Sequence, residues 1–397
     1  MIADKMINLV NNSSVIRAMF EEGKRLAGIY GAENVYDFSL GNPNVPAPKE
    51  VDDAIRDILA TEDSCFVHGY MSNSGYDDVR EKIAHSLNKR FDTHFSSDNI
   101  IMTVGAAGGI NSFFKAFVNP GDEVIAFAPF FGEYRAYASN VDANLVVVAP
   151  DTETFQPDLE GFRAAITPKT KVVIVNTPNN PTGVVYSEDT IKKMAAILEE
   201  KQKEYNSVIA LFSDEPYREL AYDGVEVPYL TKYYANTVVG YSYSKSLSLP
   251  GERIGYLVVP DEFDDSKTVL TSCNVATRIL GFVNAPSLMQ RVIGRCVDVD
   301  VSKNIAIYNK NRETLYEGLK ELGFSCIKPE GAFYMFVKTP VDDKEFSEMA
   351  KKYNILVVPG SAFSCPGFVR VAYCVSYDTI VNSLPKFKEL AKELGLV

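Results

Sequence analysis

The chain has 397 residues, with 40 Lys and Arg against 52 Asp and Glu, and its formal net charge is −12. This charge argues against a nucleic-acid partner, because binding to a phosphate backbone needs clustered basic residues. Hydrophobic residues make up 46% of the sequence and charged residues 23%, which excludes a disordered chain and, at this length, predicts two or three domain-sized units.

Two further classes of protein are disfavoured by the sequence. No apolar run approaches the roughly 18 to 20 residues of a membrane-spanning helix, and Met1 to Lys5 lack the order of a secretory signal. We therefore expect a cytoplasmic protein without a membrane partner. Six scattered cysteines and three histidines show neither CxxC nor HExxH spacing, so we expect no metal site.

The first half of the chain shows two amphipathic helical patterns, at 48–61 and 76–91, and then a series of short β-rich runs. Helical patterns separate these runs, as where Ile110, Phe113 and Phe114 form one apolar helix face. Seven runs are found, at 100–104, 124–127, 145–148, 172–175, 208–212, 238–241 and 256–259. The alternation predicts an α/β fold with a mostly parallel sheet covered by helices.

After about residue 286 the pattern changes to a long helical stretch, 287–322, followed by short strands and a terminal helix at 383–394. The strands are expected at 333–337, 355–358 and 369–373. A long helical stretch followed by short strands and a terminal helix predicts a smaller α+β domain. We place the large domain at 46–295 and assign 1–45 and 296–397 to the small domain.

Several strand ends in the large domain carry residues suited to chemistry, and open α/β sheets bind ligands at this edge. A run of small residues, Gly105 to Gly109, opens a helix whose free N–H groups suit a phosphate; a tight turn with close helix packing is the alternative. Lys245 follows a buried strand, and its amine can form a Schiff base if burial or Arg253 lowers its pKa. A solvated basic loop is the alternative.

A carboxylate and an amide lie at two other strand ends. Asp214 ends one run, where it could hold a ring nitrogen protonated or cap the next helix. Asn180 lies in an Asn-Pro-Thr-Gly string that could be a simple turn.

The order of these strings resembles a known family, the class I/II (aspartate aminotransferase-like) aminotransferases of pyridoxal-phosphate fold type I. The matching strings include Leu40-Gly41-Asn42-Pro43, Asn180-Pro181-Thr182-Gly183, Ser213-Asp214-Glu215-Pro216-Tyr217, Ser242-Tyr243-Ser244-Lys245, Gly251-Glu252-Arg253-Ile254-Gly255 and Phe368-Val369-Arg370. The resemblance implies a seven-stranded, mostly parallel sheet and pyridoxal 5′-phosphate as cofactor.

The resemblance also implies roles for single residues around the cofactor. Lys245 would hold it as a Schiff base and move the proton, Asp214 would pair with the ring nitrogen, and Tyr217 with Asn180 would bind the ring oxygen. Phe131 would stack on the ring, and Tyr134 is a further candidate neighbour. The phosphate would be bound by Gly105, Ala106, Ala107, Ser242, Ser244 and Arg253.

For the substrate, the resemblance implies that Arg370 binds the α-carboxylate, with help from Asn180 and Gly41. Tyr70 matches a tyrosine that reaches the phosphate of the neighbouring subunit, which implies a homodimer with shared sites. Arg278 lies near where some relatives carry an arginine for a second, distal carboxylate; a plain surface arginine is the alternative.

The function implied is transfer of an amino group between an L-amino acid and a 2-oxo acid by a ping-pong Schiff-base mechanism. A C–S lyase or another β-eliminating enzyme is the alternative on the same scaffold. A cofactor-sensing regulator would need a basic DNA-binding segment that residues 1–40 do not supply, and a nicotinamide dehydrogenase would need a GxGxxG string.

Overall fold

The computed structural model describes residues 2–11 and 15–397 of the chain. Its helices are α1 (Asp4–Asn11), α2 (Val15–Tyr30), α3 (Lys49–Thr61), α4 (Ser64–His68), α5 (Asp77–Phe91), α6 (Gly105–Phe117), α7 (Tyr134–Asn140), α8 (Leu159–Ala165), α9 (Glu188–Tyr205), α10 (Tyr243–Ser246), α11 (Ser266–Ile279), α12 (Ser287–Cys296), α13 (Ser302–Glu321), α14 (Asp343–Lys351) and α15 (Tyr377–Glu393). Its strands are β1 (Tyr36–Asp37), β2 (Ile100–Thr103), β3 (Glu123–Phe127), β4 (Asn144–Val148), β5 (Thr170–Asn176), β6 (Ala210–Asp214), β7 (Thr237–Ser242), β8 (Gly255–Val258), β9 (Ser325–Cys326), β10 (Tyr334–Lys338), β11 (Ile355–Leu356), β12 (Val358–Pro359) and β13 (Phe368–Ala372).

Seven strands form the larger sheet, in the order β2-β8-β7-β6-β5-β3-β4. Neighbouring strands run parallel except around β8, which is antiparallel to both β2 and β7. The mostly parallel seven-stranded α/β fold predicted from the sequence is confirmed.

Both faces of this sheet are covered, which explains why its strands read as unbroken apolar runs. On β5, Val172 and Ile174 pack in one core with side chains of α6 and α11. Val173 and Val175 point the other way and pack with side chains of α9. The period of two along each strand therefore supplies two separate cores.

A smaller antiparallel sheet, in the order β12-β13-β10-β9, forms a third core with α13 and α15. The N-terminal strand β1 joins this part of the molecule, because it pairs in parallel with β11. Residues from both ends of the sequence therefore lie together beside the larger sheet.

The stretch 287–322 is two helices rather than one, with a break at residues 297–301. Within the break, Asp298 accepts a hydrogen bond from Ser86, and Asp300 accepts from the backbone N–H of Ser302 at 2.9 Å. The Asp300 side chain therefore offers the backbone an alternative to the helix and marks the start of α13. Within the described residues no helix has the length and hydropathy needed to cross a membrane.

Candidate active site

A cavity of about 350 Å³ lies at the carboxyl ends of β5, β6 and β7. Its lining includes most of the residues singled out in the sequence: Gly41, Ala106, Ala107, Phe131, Asn180, Asp214, Tyr217, Ser242, Ser244, Lys245, Arg253 and Arg370. Residues separated by more than 300 positions in the sequence are therefore brought to one place.

The ends of β5 and β6 are joined by an asparagine that the sequence analysis did not single out. Asn176 is the register partner of Asp214, and its Nδ2 donates to the Asp214 carbonyl at 2.9 Å. Its Oδ1 accepts the backbone N–H of Asn180 at 2.8 Å. Asn176 thus fixes the Asn-Pro-Thr-Gly loop against the strand that carries the carboxylate.

Asp214 is a buried carboxylate, 5% exposed. One of its oxygens accepts a hydrogen bond and the other accepts none from the described residues. Its Oδ2 accepts a hydrogen bond from the Tyr134 hydroxyl at 2.5 Å, whereas Oδ1 has no partner within the described ranges. Burial raises the pKa of Asp214 to about 7, and the charge of Glu215 adds to this, while the Tyr134 hydrogen bond opposes it. The free oxygen suits a protonated ring nitrogen.

Lys245 lies on α10, the short helix that follows β7 directly. Its Nζ donates to the Gly41 carbonyl at 2.7 Å and lies 5.5 Å from the centre of the Phe333 ring. Burial lowers the pKa of Lys245 to about 8; nearby Cys374 opposes this shift and the charges of Arg370 and Arg253 add to it. Near neutral pH a larger fraction of this amine than of an ordinary lysine is therefore neutral and able to attack a carbonyl.

The residue at position 41 must be small because of a close approach. A Cβ added to Gly41 would lie 1.9 Å from the Tyr334 hydroxyl. Glycine here lets the backbone carbonyl reach Lys245 while the Tyr334 ring stays at the cavity wall.

The other end of the cavity carries a cluster suited to a phosphate. The helix α6 starts at Gly105, whose φ is +73°, and a Cβ there would lie 2.7 Å from Nη2 of Arg253. The Ser242 and Ser244 hydroxyls lie 2.7 Å apart. A helix N-terminus, two hydroxyls and a guanidinium together form a site for an anion.

Arg370 comes from β13 of the smaller sheet and is 2% exposed. Its Nη1 donates to Asn180 Oδ1 at 3.0 Å, and its Nη2 donates to the Ser39 carbonyl at 2.6 Å. The guanidinium stacks over the rings of Tyr334 and Phe363, at 4.5 and 4.8 Å. A fixed planar cation at the cavity wall can recognise a carboxylate.

Two tyrosines were missed by the sequence analysis. Tyr334 hydrogen-bonds the Tyr217 hydroxyl at 2.9 Å, and burial raises the pKa of Tyr334 to about 12. Tyr137 lines the cavity one helical turn after Tyr134. The i, i+3 spacing on α7 could have indicated Tyr137, whereas Tyr334 reaches the site through the packing of β10.

Tyr70 and Arg278 do not line the cavity of their own chain. Tyr70 is 92% exposed, and Arg278 lies exposed near the end of α11. The loops beside them touch, since Asn73 Nδ2 donates to the Val283 carbonyl at 3.0 Å. Within four residues of Tyr70 or Arg278 in the sequence, several apolar side chains are exposed: Phe66, Val275, Ile279, Leu280 and Phe282.

No group of three or more His, Cys, Asp or Glu side chains is placed to hold a metal ion in residues 2–11 and 15–397. The cavity instead offers one amine, one carboxylate with a free oxygen and two guanidinium groups. These groups fit an organic cofactor with a ring nitrogen and a phosphate.

Comparison with known proteins gives consistent matches along the chain. The family described as "Aminotransferase class I and II" matches residues 33–384. The chain is 29% identical to an aspartate aminotransferase of Thermotoga maritima, covering 96% of this chain and 97% of that protein. It is 31% identical to a probable aspartate aminotransferase of Methanocaldococcus jannaschii, covering 89% and 92%.

Solved structures are similar over almost the whole chain. An amino transferase from Eubacterium rectale superposes with a TM-score of 0.95 at 47% identity, covering 99% of each chain. An aspartate aminotransferase from Thermus thermophilus, solved with maleate, superposes with a TM-score of 0.86 at 27% identity, covering 95% of this chain and 97% of that one.

Proposed function

The chain belongs to the aminotransferase class I and II family, and from this membership we propose that its cavity binds pyridoxal 5′-phosphate on Lys245. The protein is an aminotransferase, whose substrates are amino acids and 2-oxo acids, and members of its family use this cofactor. The relatives are named as transaminases, so the C–S lyase alternative is not favoured.

One observation carries the proposal: a single cavity holds the Lys245 amine, the free oxygen of Asp214 and the Arg370 guanidinium. The amine suits the cofactor aldehyde, the carboxylate its ring nitrogen and the guanidinium the substrate carboxylate. When bound, pyridoxal phosphate supplies a conjugated ring that accepts the electron pair left at the substrate Cα.

The residues of the chain would divide the binding of the cofactor among them. Asp214 would hold the ring nitrogen protonated through Oδ1, while Tyr134 keeps the carboxylate oriented and ionised. Tyr217 and Asn180 would bind the ring oxygen, and Phe131 would cover the ring. The phosphate would be bound by the N-terminus of α6 at Gly105, Ala106 and Ala107 together with Ser242, Ser244 and Arg253.

Two residues would act on the substrate. The Lys245 Nζ would take the proton from the substrate Cα and hold it beside the reacting atoms, and its lowered pKa suits a base near neutral pH. Arg370 would bind the α-carboxylate, with Asn180 and the Gly41 backbone beside it. Tyr334 would hold Tyr217 in position through the hydroxyl pair.

We also propose a cytoplasmic homodimer in which Tyr70 binds the cofactor phosphate of the partner subunit. The exposed apolar surface around Tyr70 supports this assembly, since a monomer rarely leaves such a patch uncovered. A Cβ at Gly108 would lie 3.8 Å from Phe282, so this surface adjoins the α6 end of the cavity. The division into a large domain, 46–295, and a small domain formed by 1–45 and 296–397 is part of the same proposal.

Arg278 belongs to the same exposed surface, and we propose that it binds the distal carboxylate of a dicarboxylic substrate in the partner's site. The relatives named as aspartate aminotransferases support a substrate of this class. Arg278→Ala should reduce kcat/KM for aspartate and glutamate about thirtyfold more than for alanine, as expected for one charged contact worth about 2 kcal/mol. An equal loss across this panel would leave Arg278 as a surface residue.

The function is tested by incubating the purified holoenzyme with an amino acid, with and without a 2-oxo acid acceptor. A transaminase needs the acceptor to turn over, whereas a lyase releases ammonia without it. Borohydride reduction followed by peptide mapping should place the cofactor on Lys245. Label on another lysine, or ammonia release without an acceptor, would contradict the proposal.

A further inference from the structure

Residues 38–41 form a short segment that contacts two cations of the candidate active site. The Ser39 carbonyl accepts a hydrogen bond from Arg370 Nη2 at 2.6 Å. Two residues later, the Gly41 carbonyl accepts a hydrogen bond from Lys245 Nζ at 2.7 Å. The path of this segment therefore affects the position of both cations.

Strand pairing fixes only the beginning of the segment. The strand β1 ends just before Phe38, which still donates its N–H to the Leu356 carbonyl and accepts the Ala372 N–H, both at 2.9 Å. Further along, the Leu40 carbonyl accepts a weak hydrogen bond from Cys374 Sγ at 3.6 Å. The carbonyls after Phe38 thus bond side chains, so strand pairing does not set their direction.

Asp37, the last residue of β1, holds the turn at which the segment leaves the strand. Its Oδ1 accepts the backbone N–H of Ser39 at 2.9 Å and the Ser39 hydroxyl at 2.6 Å. An aspartate that accepts the N–H two residues further on fixes a turn of the backbone. Because Ser39 is fully buried, removing the carboxylate takes the acceptor from two buried donors, which is costly.

The Asp37 side chain is itself closely packed. A Cβ added to Gly23 on α2 would lie 2.7 Å from Asp37 Oδ2 and 3.1 Å from Leu356 Cδ1. Burial raises the pKa of Asp37, and the two hydrogen bonds from Ser39 oppose this shift. Since Oδ1 can accept from Ser39 in either charge state of the carboxyl group, the contact needs an acceptor rather than a charge.

We propose that Asp37 is a positioning residue for the reaction: it holds the turn at Ser39 and thereby directs the carbonyls that fix Arg370 and Lys245. For Arg370 this inference rests on the proposed function, which assigns the substrate α-carboxylate to that guanidinium. The contact between Gly41 and Lys245, in contrast, is present in the protein without cofactor. The two contacts can therefore be tested separately.

The first measurement is the pH dependence of pyridoxal-phosphate attachment to the apoprotein. A carbonyl that accepts from the Lys245 ammonium favours its charged form, so its displacement in Asp37→Ala should lower the midpoint by about half a pH unit or more. Three other groups act on this amine, and all are kept in the variant: Cys374, Arg370 and Arg253. Asp37→Asn keeps an acceptor oxygen and should keep the wild-type midpoint.

A second turn in the chain supplies the matched control. Asp151 accepts the backbone N–H of Glu153 at 2.9 Å and the Thr154 hydroxyl at 2.6 Å, outside the residues that line the cavity. Asp151→Ala removes the same two kinds of hydrogen bond, so it should also destabilise its turn. It should leave the pH midpoint of attachment unchanged.

The second measurement is the single-turnover reaction of the loaded enzyme with L-aspartate, L-glutamate and L-alanine, without an acceptor. In Asp37→Ala the amino acid concentration that gives half the limiting rate should rise about fivefold or more. The factor should be the same for all the donors that react, because they share the α-carboxylate. Added to Arg370→Ala, the Asp37→Ala substitution should have little further effect on this concentration, since both act through one guanidinium.

The outcomes separate this inference from the proposed function. If no donor reacts with the wild-type enzyme, the proposed function fails, while the pH midpoint still tests the role of Asp37 toward Lys245. If Asp37→Ala does not fold, Ser39→Ala, which removes only the hydroxyl, should shift both quantities in the same directions by about half as much on a logarithmic scale.

Three results would overturn the role of Asp37. One is a midpoint in Asp37→Ala that stays at the wild-type value or moves up. Another is an equal change in Asp37→Asn or in Asp151→Ala. The third is a full additional loss when Asp37→Ala is combined with Arg370→Ala, which would mean that the two residues act independently.

Discussion

The amine of Lys245 is the residue whose ionisation decides when the cofactor can be loaded. Burial lowers its pKa to about 8, against an ordinary value of 10.5. The protonated form therefore dominates below pH 8, and the neutral, nucleophilic form dominates above it. The environment moves the useful pH range of this lysine toward neutrality.

The rate at which pyridoxal phosphate attaches to the apoprotein should rise with pH up to about 8 and then level off. The measurement is the growth of visible absorbance after rapid mixing, repeated across pH. Free lysine amide, whose side chain titrates at about 10.4, serves as the control. A rate that keeps climbing to pH 10 in the protein would show that burial does not shift Lys245.

Tyr134 controls the charge of Asp214 through one hydrogen bond. The bond lowers a carboxyl pKa that burial has raised to about 7, so Tyr134→Phe should raise that pKa further. Asp214 loses its negative charge as the pH falls through its pKa. The acidic limb of the pH profile of kcat/KM should therefore shift to higher pH by about one unit.

The matched control for this experiment is Tyr137→Phe, which removes a hydroxyl from the same cavity and the same helix. Tyr137 makes no hydrogen bond to Asp214, so the acidic limb should keep its position in this variant. Movement of the limb in both variants, or in neither, would contradict the role assigned to Tyr134.

At the scale of elements, the start of α6 is shaped by a glycine that no other residue replaces freely. Gly105 has φ +73°, and a Cβ there would press on Arg253 at 2.7 Å. Gly105→Ala should therefore displace the guanidinium and weaken cofactor binding about tenfold or more. The Kd for pyridoxal phosphate, measured by absorbance titration, checks this.

Gly121→Ala separates backbone strain from damage to the phosphate site. Gly121 has a similar φ of +85°, but nothing lies within 4 Å of its added Cβ. Both variants should lose about 1 kcal/mol of folding free energy for the left-handed backbone. If Gly121→Ala weakened cofactor binding as much, the contact with Arg253 would not be the cause.

The seven strands of the larger sheet could be predicted because they are buried on both faces and read as apolar runs of strand length. The break inside 287–322 was less visible, since the helical pattern continues on both sides and only Asp300, two residues before Ser302, marks it. The two-residue strand β9 has too little sequence to carry a pattern. Length and burial thus decide which elements a sequence reveals.

At the scale of the molecule, the candidate site joins two sheets. Asp214 ends β6 of the larger sheet, Lys245 follows β7 and Arg253 precedes β8. Arg370 and Tyr334 come from the smaller sheet. From the order of the sequence motifs, the three residues of the larger sheet and Arg370 could be predicted to share one site. Tyr334 could not be assigned a role, because its contact with Tyr217 depends on how the sheets pack.

The proposed homodimer makes a further prediction at this scale. Subunits carrying Tyr70→Phe, mixed with subunits carrying Lys245→Ala, should form heterodimers with one intact site and one doubly damaged site. With equal amounts and random pairing, roughly a quarter of wild-type activity should return. Activity no higher than that of either parent, or a fully active monomer in sedimentation, would exclude sharing of Tyr70.

The pairing of β1 with β11 also determines when the N-terminal part of the site can fold. Residues 36–37 pair with residues 355–356, so during synthesis β1 has no partner until residues 355–356 have been made. Gly41 follows that strand closely, and its carbonyl is the hydrogen-bond partner of Lys245. We therefore expect the Gly41 backbone to reach its place beside Lys245 late in folding. A chain that is still being synthesised then has an incomplete site and cannot start the reaction.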